Sequence, residues 1–193
     1  MKHKTHSVRY NFIMNFILTA TNFIFPLITF PYVSRILLSE GTGKIAFVTS
    51  VMNYFLMVAS LGIPTYGIRA CAKVRENKKE LSRVSQEIFL INSVTTVLCV
   101  GTYLLSVLLV PQFRAEKTLF FINAVNLVLN LFGMNWLYQA LEQYDYITLR
   151  SIVFKILSVG LMFLLVHQEG DYVVYGAISV FAAAGSNLLN FFR

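Results

Sequence analysis

Lys155 sits in SIVFKILSV, an apolar run that also carries Ser151 and Ser158 at helical spacing, so the three share one helix face. Asparagines behave similarly in other apolar runs. Asn11, Asn15, Thr19, Asn22, Pro26 and Thr29 follow one another at steps of three or four. So do Asn92, Thr95 or Thr96, Cys99, Thr102 and Ser106, then Asn123, Asn126 and Asn130, and finally Tyr175, Ser179, Ala182, Ser186 and Asn190. A sparser set is Thr49, Asn53 and Ser60. A buried carboxamide without a partner costs on the order of 1–3 kcal/mol. The Asn face of the first run therefore needs either a water-filled cavity or bonds to neighbouring helices. Lys155 has two similar options, facing a cavity or snorkelling its ammonium to the surface. The Ser179/Ala183 and Ala182/Ser186 pairs fit close helix packing. All nine acids fall in loops or at helix ends, so a cavity lined by these faces suits an anion better than a proton or metal cation. This is binding chemistry, without a catalytic constellation.

These faces need elements to carry them. The chain is 56% hydrophobic and only 13% charged, with mean hydropathy +0.65, too apolar for a soluble domain. Spanning a hydrocarbon core of about 30 Å takes roughly 20 residues. Six runs qualify: 10–33, 43–61, 88–110, 119–141, 147–166 and 172–192. They are long and unalternating, which predicts helices, and the fold class expected is an all-α, polytopic membrane bundle forming one transmembrane lobe.

Counting Lys and Arg on alternate sides of six spans places Lys2, Lys4, Arg9, Arg69, Lys73, Arg75, Lys78, Lys79, Arg83, Arg150, Lys155 and Arg193 on one side. Only Arg35, Lys44, Arg114 and Lys117 fall on the other. The bias predicts that both termini are cytoplasmic, with the basic loop 62–87 as the main anchor. Within that loop Val74, Leu81, Val84 and Ile88 recur at helical spacing, as in a helix lying on a membrane surface against anionic lipids. Gly62, Pro64 and Gly67 break the span before it. Both flanks of the loop enter lipid within a few residues, so nucleic acid is not expected as a partner.

Other signals are weaker. The first run follows a basic start but is longer than a signal-peptide core and lacks a small-residue cleavage site, so it reads as a retained helix. Cys71 and Cys99 give no disulfide framework. EGTGKI (40–45) lacks the first glycine and the final Ser or Thr of a phosphate loop and reads as a membrane-edge turn. His3 and His6 have no further ligand nearby, and no metal or cofactor is expected. Glu142 and Asp145 read as a solvated cytoplasmic turn beside Arg150, with Trp136 and Tyr138 as interfacial aromatics.

FPYVSRILLSEGTGKIAF (30–47), SLGIPTYGIRACAKVRENKKELSRVSQEIF (60–89) and MNWLYQALEQYDYITLRSIVFKILSV (134–159) resemble the N-terminal half of bacterial polysaccharide-biosynthesis flippases, within the multidrug/oligosaccharidyl-lipid/polysaccharide exporter superfamily. The resemblance implies transport of an undecaprenyl-pyrophosphate-linked oligosaccharide across the bacterial cytoplasmic membrane, between two six-helix lobes around a cationic cavity. Arg35 and Arg69, which fall in the family-like blocks, and Lys155, from its polar stripe, are the expected pyrophosphate contacts. Asn15, Asn22, Asn53, Asn126 and Asn130 are the expected contacts for sugar hydroxyls. Such transporters are roughly twice this length, so the chain corresponds to the first lobe, and a second lobe or a second copy is the expected partner. The alternatives are a cation-coupled drug exporter of the same superfamily and a truncated membrane protein that does not transport.

Overall fold

The structure, a computed structural model, describes residues 7–191, so His3 and His6 lie outside it. The described residues form helices without strands: α1 (Val8–Ser60), α2 (Ile63–Val74), α3 (Lys78–Leu109), α4 (Pro111–Ala115), α5 (Lys117–Gly133), α6 (Asn135–Ala140), α7 (Tyr144–Leu165), α8 (Tyr172–Ala184) and α9 (Leu188–Phe191). Five stretches are long and apolar enough to cross a membrane, and the first, Arg9–Val74, contains both of the first two expected spans. Phe12, Phe16, Phe23, Leu27, Val97, Leu109 and Leu164 are each more than 60% exposed, a surface that water would penalise and lipid would not. The protein is an all-α, multi-pass membrane bundle.

α1 is two helices joined at Leu38, whose backbone (φ 54°, ψ −168°) lies in a region that is essentially restricted to glycine. The side-chain contacts establish what happens there. From Met14 to Tyr32 the first arm pairs with α7 in parallel: Thr148 donates to the Met14 carbonyl, Lys155 to Asn22, and Tyr32 to the Val166 carbonyl, at separations of 134, 133 and 134 residues. The second arm runs antiparallel to α3, since Thr95 donates to the Ala59 carbonyl while Phe55 packs edge-on to Tyr103. α3 is antiparallel to α5, through the Tyr103 hydroxyl donating to the Phe120 carbonyl. α5 and α8 run parallel, with Leu119 at Gly176 and Asn187 at Gly133. α8 is antiparallel to α7, where Phe154 meets Phe181 and Gly185. These directions are mutually consistent only if Leu38 reverses the chain.

The reversal needs a close approach. A Cβ on Gly41 would lie 3.0 Å from the Leu37 Cβ and 3.3 Å from that of Tyr172. Residues 40–45, expected as a turn, are instead the first turns of the second arm, because the reversal is complete two residues earlier at Leu38. Lys44 there pairs with Glu40 (2.8 Å) and Glu116 (3.3 Å).

The basic stretch also differs from expectation. It is not one surface helix: α2 stops at Val74, and Asn77 starts α3 by accepting from the Lys79 and Glu80 amides (3.2 and 3.3 Å). The asparagine cap interrupts the Val74 to Ile88 stripe. The break before it is where the glycine predicts, with Gly62 at φ 70°. Trp136 is not interfacial. It is 5% exposed and lies against Gly67 of α2, where a Cβ would come within 2.8 Å of the ring. The expected fourth span is interrupted at Met134 (φ 40°, ψ 32°), and the sixth loosens into a 3-10 turn at Gly185–Asn187. Both cysteines are free and buried.

The apolar core has three parts, one of them Ile63, Cys71, Ile88, Trp136 and Ala140 around α2 and α6. Val48, Met52, Cys99, Tyr103, Val107, Leu119 and Phe120 fill the space between the second arm, α3 and α5. Val33, Leu37, Met162, Val166 and Ile178 fill that between the first arm, α7 and α8.

Candidate functional site

Lys155 is 8% exposed and its Nζ donates to Asn22 Oδ1 at 2.6 Å. The ammonium therefore ends on the α1–α7 seam and does not reach the surface. Its face of α7 is otherwise closed by Ser158, which is fully buried and donates to the Phe154 carbonyl of its own helix. No carboxylate lies within ion-pair distance of Lys155 among the described residues. Its hydrogen-bond partner is an amide oxygen rather than an acid.

One turn earlier on α7, Arg150 is 6% exposed. Its Nη2 donates to Asn135 Oδ1 (2.8 Å) and Asn187 Oδ1 (3.4 Å), and its guanidinium carbon stands 5.6 Å from the centre of the Tyr146 ring. Its Nε and Nη1 have no hydrogen-bond partner among the described residues. Sequence reading took Arg150 only as an orienting charge beside a solvated turn. The available signal was its place inside the apolar run 147–166. Glu142, in that turn, is held by Arg75 at 2.6 Å and by Asn11 at 3.4 Å. The contact with Glu142 holds the Arg75 guanidinium above its ordinary pKa.

The other predicted residues do not converge with Lys155. Asn15, Asn53 and Arg35 are exposed on the bundle surface, and Asn126 is half-buried on α5. Arg69 is exposed on α2 and lines, with Lys73, Tyr66 and Ile88, a groove of about 500 Å³ between α2 and the start of α3. Asn130 opens on a separate cavity of about 200 Å³, whose lining includes Asn92, Asn135, Gln139 and Trp136. Thr95 of α3 bonds across to the second arm, and Ala182 of α8 and Ser186 just after it are buried in packing. In α5, Asn123 turns its amide onto the Leu119 carbonyl of its own helix.

The family model for polysaccharide biosynthesis proteins matches residues 8–191. The chain belongs to that family. Among curated proteins it is 27% identical over 172 residues to a "Putative O-antigen transporter" of Escherichia coli (strain K12), covering 89% of this chain and 41% of that protein. It is 23% identical over 163 residues to a protein of the same name from Shigella dysenteriae, covering 84% of this chain and 41% of that one. The chain thus spans about two fifths of the length of the curated relatives it matches. No solved structure matches. Both of these relatives are named as transporters.

Proposed function

We propose that this chain is the N-terminal lobe of a transporter that moves an undecaprenyl-pyrophosphate-linked oligosaccharide from the inner to the outer leaflet of a bacterial cytoplasmic membrane, with both termini in the cytoplasm. The supporting observation is the pair of buried cations, Lys155 and Arg150, held by amides and, among the described residues, in no ion pair with an acid, in a chain whose relatives are named for O-antigen transport. Lys155, Arg35 and Arg69 would attract the pyrophosphate, and Asn15, Asn22, Asn53, Asn126 and Asn130 would meet sugar hydroxyls.

Exposed Asn15, Asn22 and Asn53 sit among Phe16, Phe23 and Tyr54 on the outer surface of the two α1 arms. Leaving them against lipid is costly, so this side needs a covering bundle, either a second lobe or another copy of the chain. Alternating access likewise needs two bundles. A cation-coupled exporter would need an acid inside the bundle, and none of the nine acids is buried.

The test is complementation of a flippase deletion. The 193-residue chain should restore surface glycan only when a second lobe is supplied, and Lys155→Ala in the paired protein should abolish export at unchanged protein level. Restoration by a demonstrably monomeric form of this chain would overturn the reading.

A further inference from the structure

The cavity beside Asn130 is built where two helices break. α1 ends at Ser60 and α5 at Gly133, each followed by a residue with left-handed backbone, Leu61 (φ 42°) and Met134 (φ 40°). About 200 Å³ of space lies between these breaks. That is smaller than the 300–1,000 Å³ typical of drug-sized ligands.

The lining is rich in carboxamides: Asn92, Asn130, Asn135 and Gln139. Asn135 is positioned by the Arg150 guanidinium, which takes up its Oδ1. Asn92 is only 9% exposed. Among the described residues, the side chains of Asn92, Asn130 and Gln139 have no protein partner, so their donors and acceptors are left for whatever fills the cavity. A carboxamide offers two N–H donors and an acceptor oxygen, the complement of a hydroxyl, which both donates and accepts. No lysine, arginine, aspartate or glutamate lines the cavity, which leaves carboxamides as its main polar groups. Trp136 adds an indole wall, the kind of surface that covers the C–H face of a sugar ring.

We infer that this cavity is a binding site for a single uncharged sugar ring, formed within this lobe by Asn92, Asn130, Asn135, Gln139 and Trp136. It lies apart from Lys155. The site needs no second lobe, and it gives the transport reading a specific sugar contact, resting on that reading only for its biological purpose.

Trp136 is the chain's only tryptophan, so it is a built-in reporter. The chain is purified in nanodiscs and titrated with N-acetyl-D-glucosamine, D-galactose and L-rhamnose, and separately with inorganic pyrophosphate, while tryptophan fluorescence is followed. The expected result is a saturable change with at least one sugar and none with pyrophosphate. Asn130→Ala and Gln139→Ala, at the cavity rim and therefore mild for folding, should each raise the half-saturating concentration about tenfold, the effect of one lost hydrogen bond. Thr118→Ala, exposed on α5 and outside the cavity, should leave it unchanged. Three results would overturn the proposal: no saturable sugar response in folded wild-type chain, a response to pyrophosphate alone, or a sugar response that both rim variants leave intact. Because binding is read on the single lobe, a failure here is separable from a failure of export complementation.

Discussion

Removing Asn22 and removing Lys155 should have unequal consequences. Both truncations break the same 2.6 Å bond, but they leave different remnants. Asn22→Ala strands an ammonium that is 8% exposed, between two helices and without a carboxylate in reach. Hydrogen bonds to charged groups contribute about 1.5–3 kcal/mol, and a stranded buried charge adds a desolvation cost. Lys155→Met removes the charge together with its desolvation cost and keeps a chain of similar length to fill the seam. Such replacements are often neutral or stabilising. The prediction is that Asn22→Ala lowers unfolding free energy by about 2 kcal/mol, Lys155→Met changes it by less than about 1 kcal/mol, and the double variant resembles Lys155→Met. Interhelical bonds in membranes average nearer 0.6 kcal/mol, so the coupling energy from the full cycle is the decisive quantity. Reversible unfolding in mixed micelles, monitored by far-ultraviolet circular dichroism, supplies it. If the two effects simply add, or if Lys155→Met costs more than Asn22→Ala, the charge is stabilised by something other than Asn22.

A reporter fused after Arg83 should behave as cytoplasmic and one fused within Glu169–Asp171 as external; cytoplasmic behaviour at both would refute the six-pass topology. Leu38→Gly should raise stability, since the strain at φ 54° is on the order of 1–3 kcal/mol and glycine relieves it; a lower melting temperature would show that Leu38 contributes through packing instead. Gly67→Val should displace Trp136, which lies within 2.8 Å of any added Cβ, and shift tryptophan emission to longer wavelength; an unchanged spectrum would mean that α2 moves rather than the indole.

The class of fold was legible because the apolar runs are long and the breaker residues are explicit, as at Gly62. A reversal between residues 33 and 43 was legible from the spans, but its place at Leu38 and the break at Met134 were not, since neither residue type signals a positive φ. Periodicity placed Lys155 and Asn22 on polar faces, but a pairing across 133 positions depends on how helices dock, which no local pattern encodes. Asn130 was found by its stripe, whereas its cavity neighbours Asn135 and Gln139 belong to α6, a short helix created by the unforeseen break. Arg150 shows a different loss: one arginine can serve as a topological charge or a buried donor, and only burial distinguishes them.

The parallel seam between the first arm and α7 has a consequence for synthesis. Its bonds join residues 133 or 134 positions apart, so the helix made first is among the last to find its partner. At 5–20 residues per second, that interval is on the order of ten seconds. For that time Asn22 must be accommodated without Lys155 and Tyr32 without the Val166 carbonyl, by water, by the insertion machinery or by another chain. A ribosome stalled before α7 leaves a membrane-inserted helix with an unanswered polar side, the kind of surface that quality-control proteases and stray helices both recognise.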